Sequence, residues 1–390
     1  VFRIAGAGCG LLDLIYAGVD FSRGAFAEYR SRAAGDGGLE PGKLVFTDDF
    51  ERFSGADWRK VLSFVTDGIL PHGNIGGPAV VALIGAAQLL DPGRFSVQFI
   101  GSVGDDDWGK ELRGRLSQTP LNVRLVEKTG GTPFTYVLSD PTYADGRGER
   151  TFVNNIGSSW RLGPDDLAPE FFRADLVVFG GTGLVPMLHD ALDTLLPRAK
   201  ATGAFTIVNT VYDFRNQRRD PVGRWPLGQS DKTYAAVDLL LADQEEALRL
   251  SGKENVRDAI DWFLAQGTGA VLVTDGVRDI EVGVCSPLFA APESSQFPVS
   301  RSVVRDLEEH PERRGDTTGC GDNFAGGVIA SVAEQCEAGK TPIDLREAVE
   351  WGAACGGLAC YHLGGVWSEA FAGEKRGRVL ACLEADLRLL

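Results

Sequence analysis

The stretch Gly315-Asp316-Thr317-Thr318-Gly319-Cys320-Gly321-Asp322-Asn323-Phe324-Ala325-Gly326-Gly327 constrains this chain more than any other. Its small residues read as a tight turn, and the run from Phe324 to Ala333 is apolar enough to be a buried helix that starts at once. The first turn of a helix presents unpaired N–H groups and about half a positive elementary charge. Such an end binds anions, phosphate above all. Asp322 falls in that first turn, and a carboxylate there has two readings. It caps the helix, or it takes a proton from a hydroxyl that attacks a phosphate held by the turn. Repulsion between carboxylate and phosphate makes the pairing awkward for binding alone, which is the argument for the second.

At 390 residues the chain holds one large α/β domain or two smaller ones. Its 50 glycines are scattered, which suits many tight turns better than a disordered tract. A net charge of −15 opposes non-specific nucleic-acid binding, so the partner expected is a small molecule. The 7 cysteines are odd in number and lack metal-site spacing, and the 4 histidines lie far apart. Reduced thiols in a cytoplasmic protein are the expectation. No apolar run approaches ~18 residues, so no membrane partner is expected, and the N-terminus reads as a strand rather than a signal peptide.

Residues 1–5 lead as a strand into Gly6-Ala7-Gly8-Cys9-Gly10. A dinucleotide-dependent oxidoreductase would need a third glycine where Leu11 stands, although Glu28 meets its acidic requirement. Asp13, between Leu12 and Leu14, is costly if buried without partners and unremarked if it faces water. Residues 21–70 are polar and partly helical, over 24–34 and 57–64, and read as an insertion with no assigned chemistry. Gly76-Gly77-Pro78 opens a helix. Asp105 and Asp106 read as caps of a helix over 108–116 rather than as a metal site. Residues 134–138 and 150–154 alternate as hairpin strands. From residue 174 onward, short apolar runs at 175–179, 205–209, 237–241 and 271–274 alternate with helices such as 187–201 and 244–251. That period implies a parallel sheet covered on both faces, with function at the carboxyl ends of its strands, where Asn209, Asp243 and Thr274 fall.

The opening stretch resembles the C-terminal signature of the ribokinase-like (PfkB-type) carbohydrate kinases, Asp-Thr-x-Gly-Ala-Gly-Asp-x-Phe, and departs from it only at Cys320. Gly76-Gly77, the turn Gly101 to Gly109, Asp243-Gln244-Glu245-Glu246 (for the family's N-x-x-E) and Thr274-Asp275-Gly276 (for its T-x-G) extend the likeness. Val81 departs from a family Asn. The resemblance implies a single α/β domain over 1–390, a central mostly parallel sheet with helices on both faces and a small β-lid. The lid and insertion would lie within about 21–70, and a lid-adjacent hairpin at about 132–155.

It further implies an ATP- and Mg²⁺-dependent phosphotransferase acting on a hydroxymethyl group of a sugar or sugar derivative. A nucleoside kinase and a catalytically silent sensor on the same fold are the alternatives. By resemblance, Asp322 is the base, with an ordinary carboxyl pKa, and the N–H groups of Gly319, Cys320 and Gly321 stabilise the moving phosphoryl. Asp13, Gly76, Gly77 and, from a second side, Asn74 orient the acceptor. Thr274, Gly276 and Asp243 join Gly319 and Gly321 at the nucleotide, and the helix over 347–361 with His362 to Gly365 borders the adenine. Glu246 and Asp243 hold Mg²⁺ through water, while Asp316 and Thr318 border a monovalent cation such as K⁺. Phe134, Tyr136 and Phe152 either stack on a base or are plain strand residues. Family lids also pair, so a homodimer through the lid is expected.

Overall fold

The structure is a computed structural model that describes residues 1–33, 35–146, 148–315 and 317–389. Among these residues, nine strands form the central sheet. From one edge to the other they are Gln296–Phe297, Ile280–Val284, Ala270–Thr274, Leu239–Asp243, Phe205–Asn209, Leu176–Gly180, Phe2–Gly8, Phe95–Val103 and Asn122–Glu127. All neighbours are parallel except at the Gln296–Phe297 edge, where Ile280–Val284 runs antiparallel to both of its partners. The strands read as continuous Val, Ile, Leu and Phe runs because both faces are buried. One face carries the helices Pro78–Leu89, Cys320–Glu337 and Leu345–Ala359. The other carries Leu192–Lys200, Gln244–Ser251 and Val256–Ala265.

The helix Cys320–Glu337 lies between Pro78–Leu89 and Leu345–Ala359. Glycines set that spacing: a Cβ on Gly326 would meet Ala82 O at 2.7 Å, and one on Gly327 would meet Trp351 O at 2.5 Å. The apolar pattern expected after Phe324 is therefore a helix buried from both sides.

A second sheet of five strands, Leu44–Phe46, Glu149–Asn155, Phe134–Asp140, Leu11–Ala17 and His72–Gly76 in that order, forms the lid. Side chains of successive residues alternate between its two faces. Leu12, Leu14, Tyr16, Phe134, Tyr136, Leu138 and Val153 point to the back, where the segment 21–70 covers them. The insertion therefore has a structural role, and its strand Leu44–Phe46 extends the lid. Its helix Trp58–Thr66 presents Trp58, Val61, Leu62 and Val65 to the lid, one helical face by their spacing. Asp57 caps that helix by accepting from Arg59 N at 2.9 Å. Buried Asp140 joins cover to lid by accepting from Phe21 N at 2.9 Å.

Three local expectations are corrected. The helix expected over 24–34 stops at Glu28. The helix expected over 187–201 is two, Pro186–Asp190 and Leu192–Lys200, separated at Ala191. Of the two aspartates expected to cap the next helix, Asp106 does so, accepting from Gly109 N at 2.7 Å, and that helix is Asp107–Leu116.

Candidate active site

Asn209, Asp243 and Thr274 end three neighbouring parallel strands and open onto a cleft of about 180 Å³. The N-terminus of the helix Cys320–Glu337 forms its opposite wall, with Gly319, Gly321 and Asp322 in the lining. Gly319 is the N-cap residue at φ 76°, and a Cβ there would meet Gly365 Cα at 2.5 Å. Gly321 differs: its φ is not left-handed, and a Cβ would meet nothing within 4 Å. Protein packing does not demand a glycine at 321, whereas a ligand lying against the helix end would. Cys320 N is engaged by Thr317 O at 3.3 Å, so of the three amides expected to serve an anion this one already closes the turn.

Asp322 is half-buried at the floor of the cleft. Burial pushes its carboxyl up to about 7, and the Asn209 amide beside it pulls the other way. The ordinary carboxyl pKa expected from sequence is not found, because the low-dielectric surroundings disfavour the charged form. Asn209 Nδ2 itself makes no hydrogen bond of acceptable geometry and is one of few buried polar atoms so placed among the described residues. Sequence reading placed Asn209 at a strand end and gave it no task.

Asp243 and Glu246 form a reciprocal helix cap. Glu246 N donates to Asp243 Oδ1 at 2.7 Å and Asp243 N donates to Glu246 Oε2 at 3.1 Å. Thr210 Oγ1 also donates to Glu246 Oε2, at 2.5 Å. Both bonds fall on Oε2, leaving Oε1 without one among the described residues. Burial first, and then the neighbouring charge of Asp243, raises the Glu246 carboxyl; burial also raises Asp243. Two crowded, desolvated carboxylates with a spare oxygen form a hard-oxygen donor set that suits a divalent cation such as Mg²⁺.

Thr274 also borders a second cavity, of about 380 Å³, continuous with the cleft through Gly321 and Phe324. Gly276, at φ 58°, and the apolar Val277, Val303 and Leu307 line it, and Gly356, Gly357 and Cys360 form the wall that the helix Leu345–Ala359 and its C-cap provide.

The residues expected at the acceptor lie under the lid. Asp13 is 6% exposed, and its carboxylate packs over Gly76, where a Cβ would meet Oδ2 at 2.2 Å. Gly77, at φ 103°, starts the helix Pro78–Leu89. Cys9 is buried between the two halves: after burial, the charges of Asp13 and of Asp322 both push its thiol up. The strand register aligns Asp13 with Thr135, and Thr135 with Asn154, on the face opposite the covered back. Asn154 Nδ2 donates to Thr135 Oγ1 at 2.7 Å, while Asn154 Oδ1 is buried without a partner among the described residues. Neither residue was singled out from sequence; the alternation of the hairpin strands, set in register with Asp13, was the available signal.

Asn74, expected at the acceptor, is used otherwise. Its Nδ2 donates to Leu363 O at 2.8 Å and Val366 O at 3.2 Å, and its Oδ1 accepts from Ile75 N at 2.7 Å, so the side chain anchors a loop. Val81 is core, packed against Gly365. Thr318 Oγ1 accepts from Arg150 Nη1 at 2.5 Å, so a lid guanidinium stands at the hydroxyl expected beside a monovalent cation. Asp316, the other residue of that expectation, lies outside the described residues. Phe134 and Tyr136 pack on Trp58, Trp108 and Tyr16 at the back of the lid, away from Asp13. Phe152 alone of the three aromatic candidates shares the Asp13 face.

Behind the cleft runs a buried polar relay. Lys375, 2% exposed, donates to Asn323 Oδ1 at 2.7 Å and Gln88 Oε1 at 3.2 Å. Asn323 Nδ2 in turn donates to Gly319 O at 2.9 Å and Gly365 O at 2.8 Å. Burial lowers the Lys375 pKa. The relay holds the turn from the rear.

Comparison with known proteins identifies the family and the fold. The model of the pfkB family carbohydrate kinases matches residues 72–368. A fructokinase of Vibrio alginolyticus is 26% identical over 73% of this chain and 84% of its own length, and one of Klebsiella pneumoniae is 28% identical over 66% and 76%. Among solved structures, adenosine kinase from Schistosoma mansoni in complex with 2-fluoroadenosine superposes with a TM-score of 0.70 at 16% identity, covering 94% of this chain and 97% of that one. Ribokinase from Thermotoga maritima gives 0.61 at 16% identity, over 98% and 100%. The fold is ribokinase-like, and the chain belongs to the pfkB family of carbohydrate kinases. It is a carbohydrate kinase whose acceptor class is a sugar or nucleoside.

Proposed function

We propose that this kinase transfers the γ-phosphoryl group of ATP to a hydroxymethyl group of a sugar or sugar derivative. The observation that carries the reading is that two carboxylates from different elements flank one turn: the Asp13 carboxylate on the lid packs over Gly76, and Pro78, two residues on, lines the cleft that holds Asp322 at the helix end. One faces the anion end and the other the lid, as in-line transfer between two bound substrates requires.

Asp322 accepts the proton of the attacking hydroxyl. Amides of Gly319 and Gly321, at the positive end of the helix, hold the transferring phosphoryl, and Asn209 Nδ2 supplies one more donor at the same cleft. Glu246, through Oε1, and Asp243 would hold Mg²⁺, which when bound offsets the phosphate charge. The apolar cavity beside Gly276 takes the adenine. Under the lid, Asp13 orients the acceptor hydroxyls, and Thr135 and Asn154 extend the same polar row. Holding both substrates in reacting geometry is much of what the protein contributes. Arg150, by reaching Thr318, ties lid position to the phosphate loop.

A sugar is favoured over a nucleoside because Phe134 and Tyr136 are spent on the back of the lid. A nucleoside acceptor would have to stack on Phe152, the aromatic left on the Asp13 face. The chain's own 21–70 segment covers the back of the lid, so a lid-to-lid pairing would find no bare apolar face there. Release of ADP, measured with Mg·ATP against a panel of ketoses, aldoses, sugar acids and ribonucleosides, tests the reading. Turnover with a free sugar above all nucleosides is expected; turnover with nucleosides alone would overturn the sugar assignment.

A further inference from the structure

The cavity assigned to the adenine carries a pair of thiols in its wall. Cys320, the first residue of the helix Cys320–Glu337, and Cys360, the C-cap of Leu345–Ala359, place their sulfurs 3.4 Å apart. Both are partly exposed and both line the cavity. The remaining five cysteines are differently placed: Cys9, Cys355 and Cys382 are buried, Cys336 is half-buried and lies outside the lining of this cavity, and Cys285 is exposed with its sulfur turned to Thr268 O at 3.1 Å. Cys320 is also the position at which the glycine-rich turn departs from the family signature.

We propose that Cys320 and Cys360 form a thiol modification site, taking small disulfides as oxidants and closing to an intramolecular disulfide in the nucleotide slot. The thiolate of one cysteine attacks a sulfur of the reagent disulfide and releases one reagent thiol. The second cysteine then attacks the mixed disulfide and releases the other. Two protein S–H bonds and one reagent S–S bond break; one protein S–S bond and two reagent S–H bonds form. The protein loses two electrons and two protons, and the reagent gains them.

Closure brings the sulfurs from 3.4 Å to the roughly 2.05 Å of a disulfide. The two helix ends already touch, since a Cβ on Gly356 would meet Cys320 O at 3.0 Å, so the movement must be taken up by the glycine-flanked turn. Gly319 and Gly321 flank Cys320 directly, and their amides are the ones assigned to the phosphoryl group. A shift of order 1 Å in such groups costs about 10²-fold in rate. Nucleotide in the slot should screen the pair from the reagent.

The effect on turnover rests on the proposed kinase reading; the link itself does not, and the test separates them. The full chain is treated with oxidised glutathione with and without Mg·ADP, residual thiols are blocked, and peptides are mapped by mass spectrometry without reduction. A Cys320–Cys360 link is expected, reversed by dithiothreitol and formed at least severalfold more slowly with Mg·ADP. ADP release from ATP plus acceptor should fall about 10²-fold in the linked protein and return on reduction. Cys360→Ser can trap the mixed disulfide on Cys320 but cannot close it, so mapping should find a glutathione adduct at Cys320 and no link; with Cys320→Ala added to Cys360→Ser, the treated-to-untreated activity ratio should stay near one. The proposal is overturned if glutathione adds to Cys285 while no 320–360 link forms, if Mg·ADP leaves the linking rate unchanged, or if that double variant loses activity on oxidation as the parent does. Should Cys360→Ser fail to fold, mapping of the parent chain still decides. A chain that forms the protected link but phosphorylates no acceptor would refute the kinase reading and leave the site standing.

Discussion

The end of the cleft proposed for the nucleotide is made largely of backbone: the amides flanking Cys320, the open flank of Gly321, and a cap in which Asp243 and Glu246 bond each other's N–H groups. The lid end is made of side chains, Asp13, Thr135 and Asn154 in one register row. Backbone amides at a helix end hold any phosphate, so the first region supplies chemistry with little selectivity. Side-chain donors and acceptors fixed on a sheet discriminate by leaving buried groups unpaired when the wrong substrate binds. The difference teaches where to look for specificity: on the inner face of the lid and not in the glycine turn.

Four experiments would break or sharpen that division, from the largest expected effect to the smallest. Asp322→Asn should cut turnover by roughly 10²–10⁴ while ATP affinity, by nucleotide fluorescence, stays nearly unchanged. Near-normal turnover would remove Asp322 as the base. Glu246→Gln should raise the Mg²⁺ concentration for half-maximal rate by about 10–100-fold, as loss of a metal-supporting carboxylate does. An unaltered Mg²⁺ titration would reduce the pair to a helix cap. The third is a pH profile. The base must be deprotonated and its carboxyl lies up at about 7, so kcat/KM should fall about tenfold per pH unit below 7 and level off above it. A rate flat down to pH 5 would mean that Asp322 is ionised far lower. Last, Phe134→Leu should lower Tm while leaving KM for the acceptor within about twofold, because the cavity it leaves opens in the covered back of the lid and not on the Asp13 face. A large rise in KM would put Phe134 at the acceptor after all.

Much of this was legible in the sequence. The βα period gave the parallel sheet, and the glycine turn running into an apolar stretch gave the buried helix Cys320–Glu337. What was misread shows what sequence lacks. D-x-x-E at 243–246 is a capping-box pattern in plain view, yet the metal reading displaced it; the structure has Asp243 and Glu246 capping first, with one Glu246 oxygen to spare. The Asp322 pKa could not be read at all, because it depends on burial by elements distant in sequence and on the opposing pull of the Asn209 amide. Asn74 looked like an acceptor ligand until its partners Leu363 and Val366, far along the chain, were in place. The segment 21–70 had no visible task because its apolar face matches a lid surface assembled from strands on both sides of it in sequence.

Lys375 follows every other residue of the site in sequence, yet through Asn323 it holds the carbonyl of Gly319. Synthesis proceeds from the N-terminus, so a ribosome can have released the whole lid, the metal-side carboxylates and the glycine turn while that lysine is still in the exit tunnel. A nascent chain at that stage has its reacting groups but no brace behind the turn. The turn is therefore braced only once the helix Glu374–Leu387 has docked behind it.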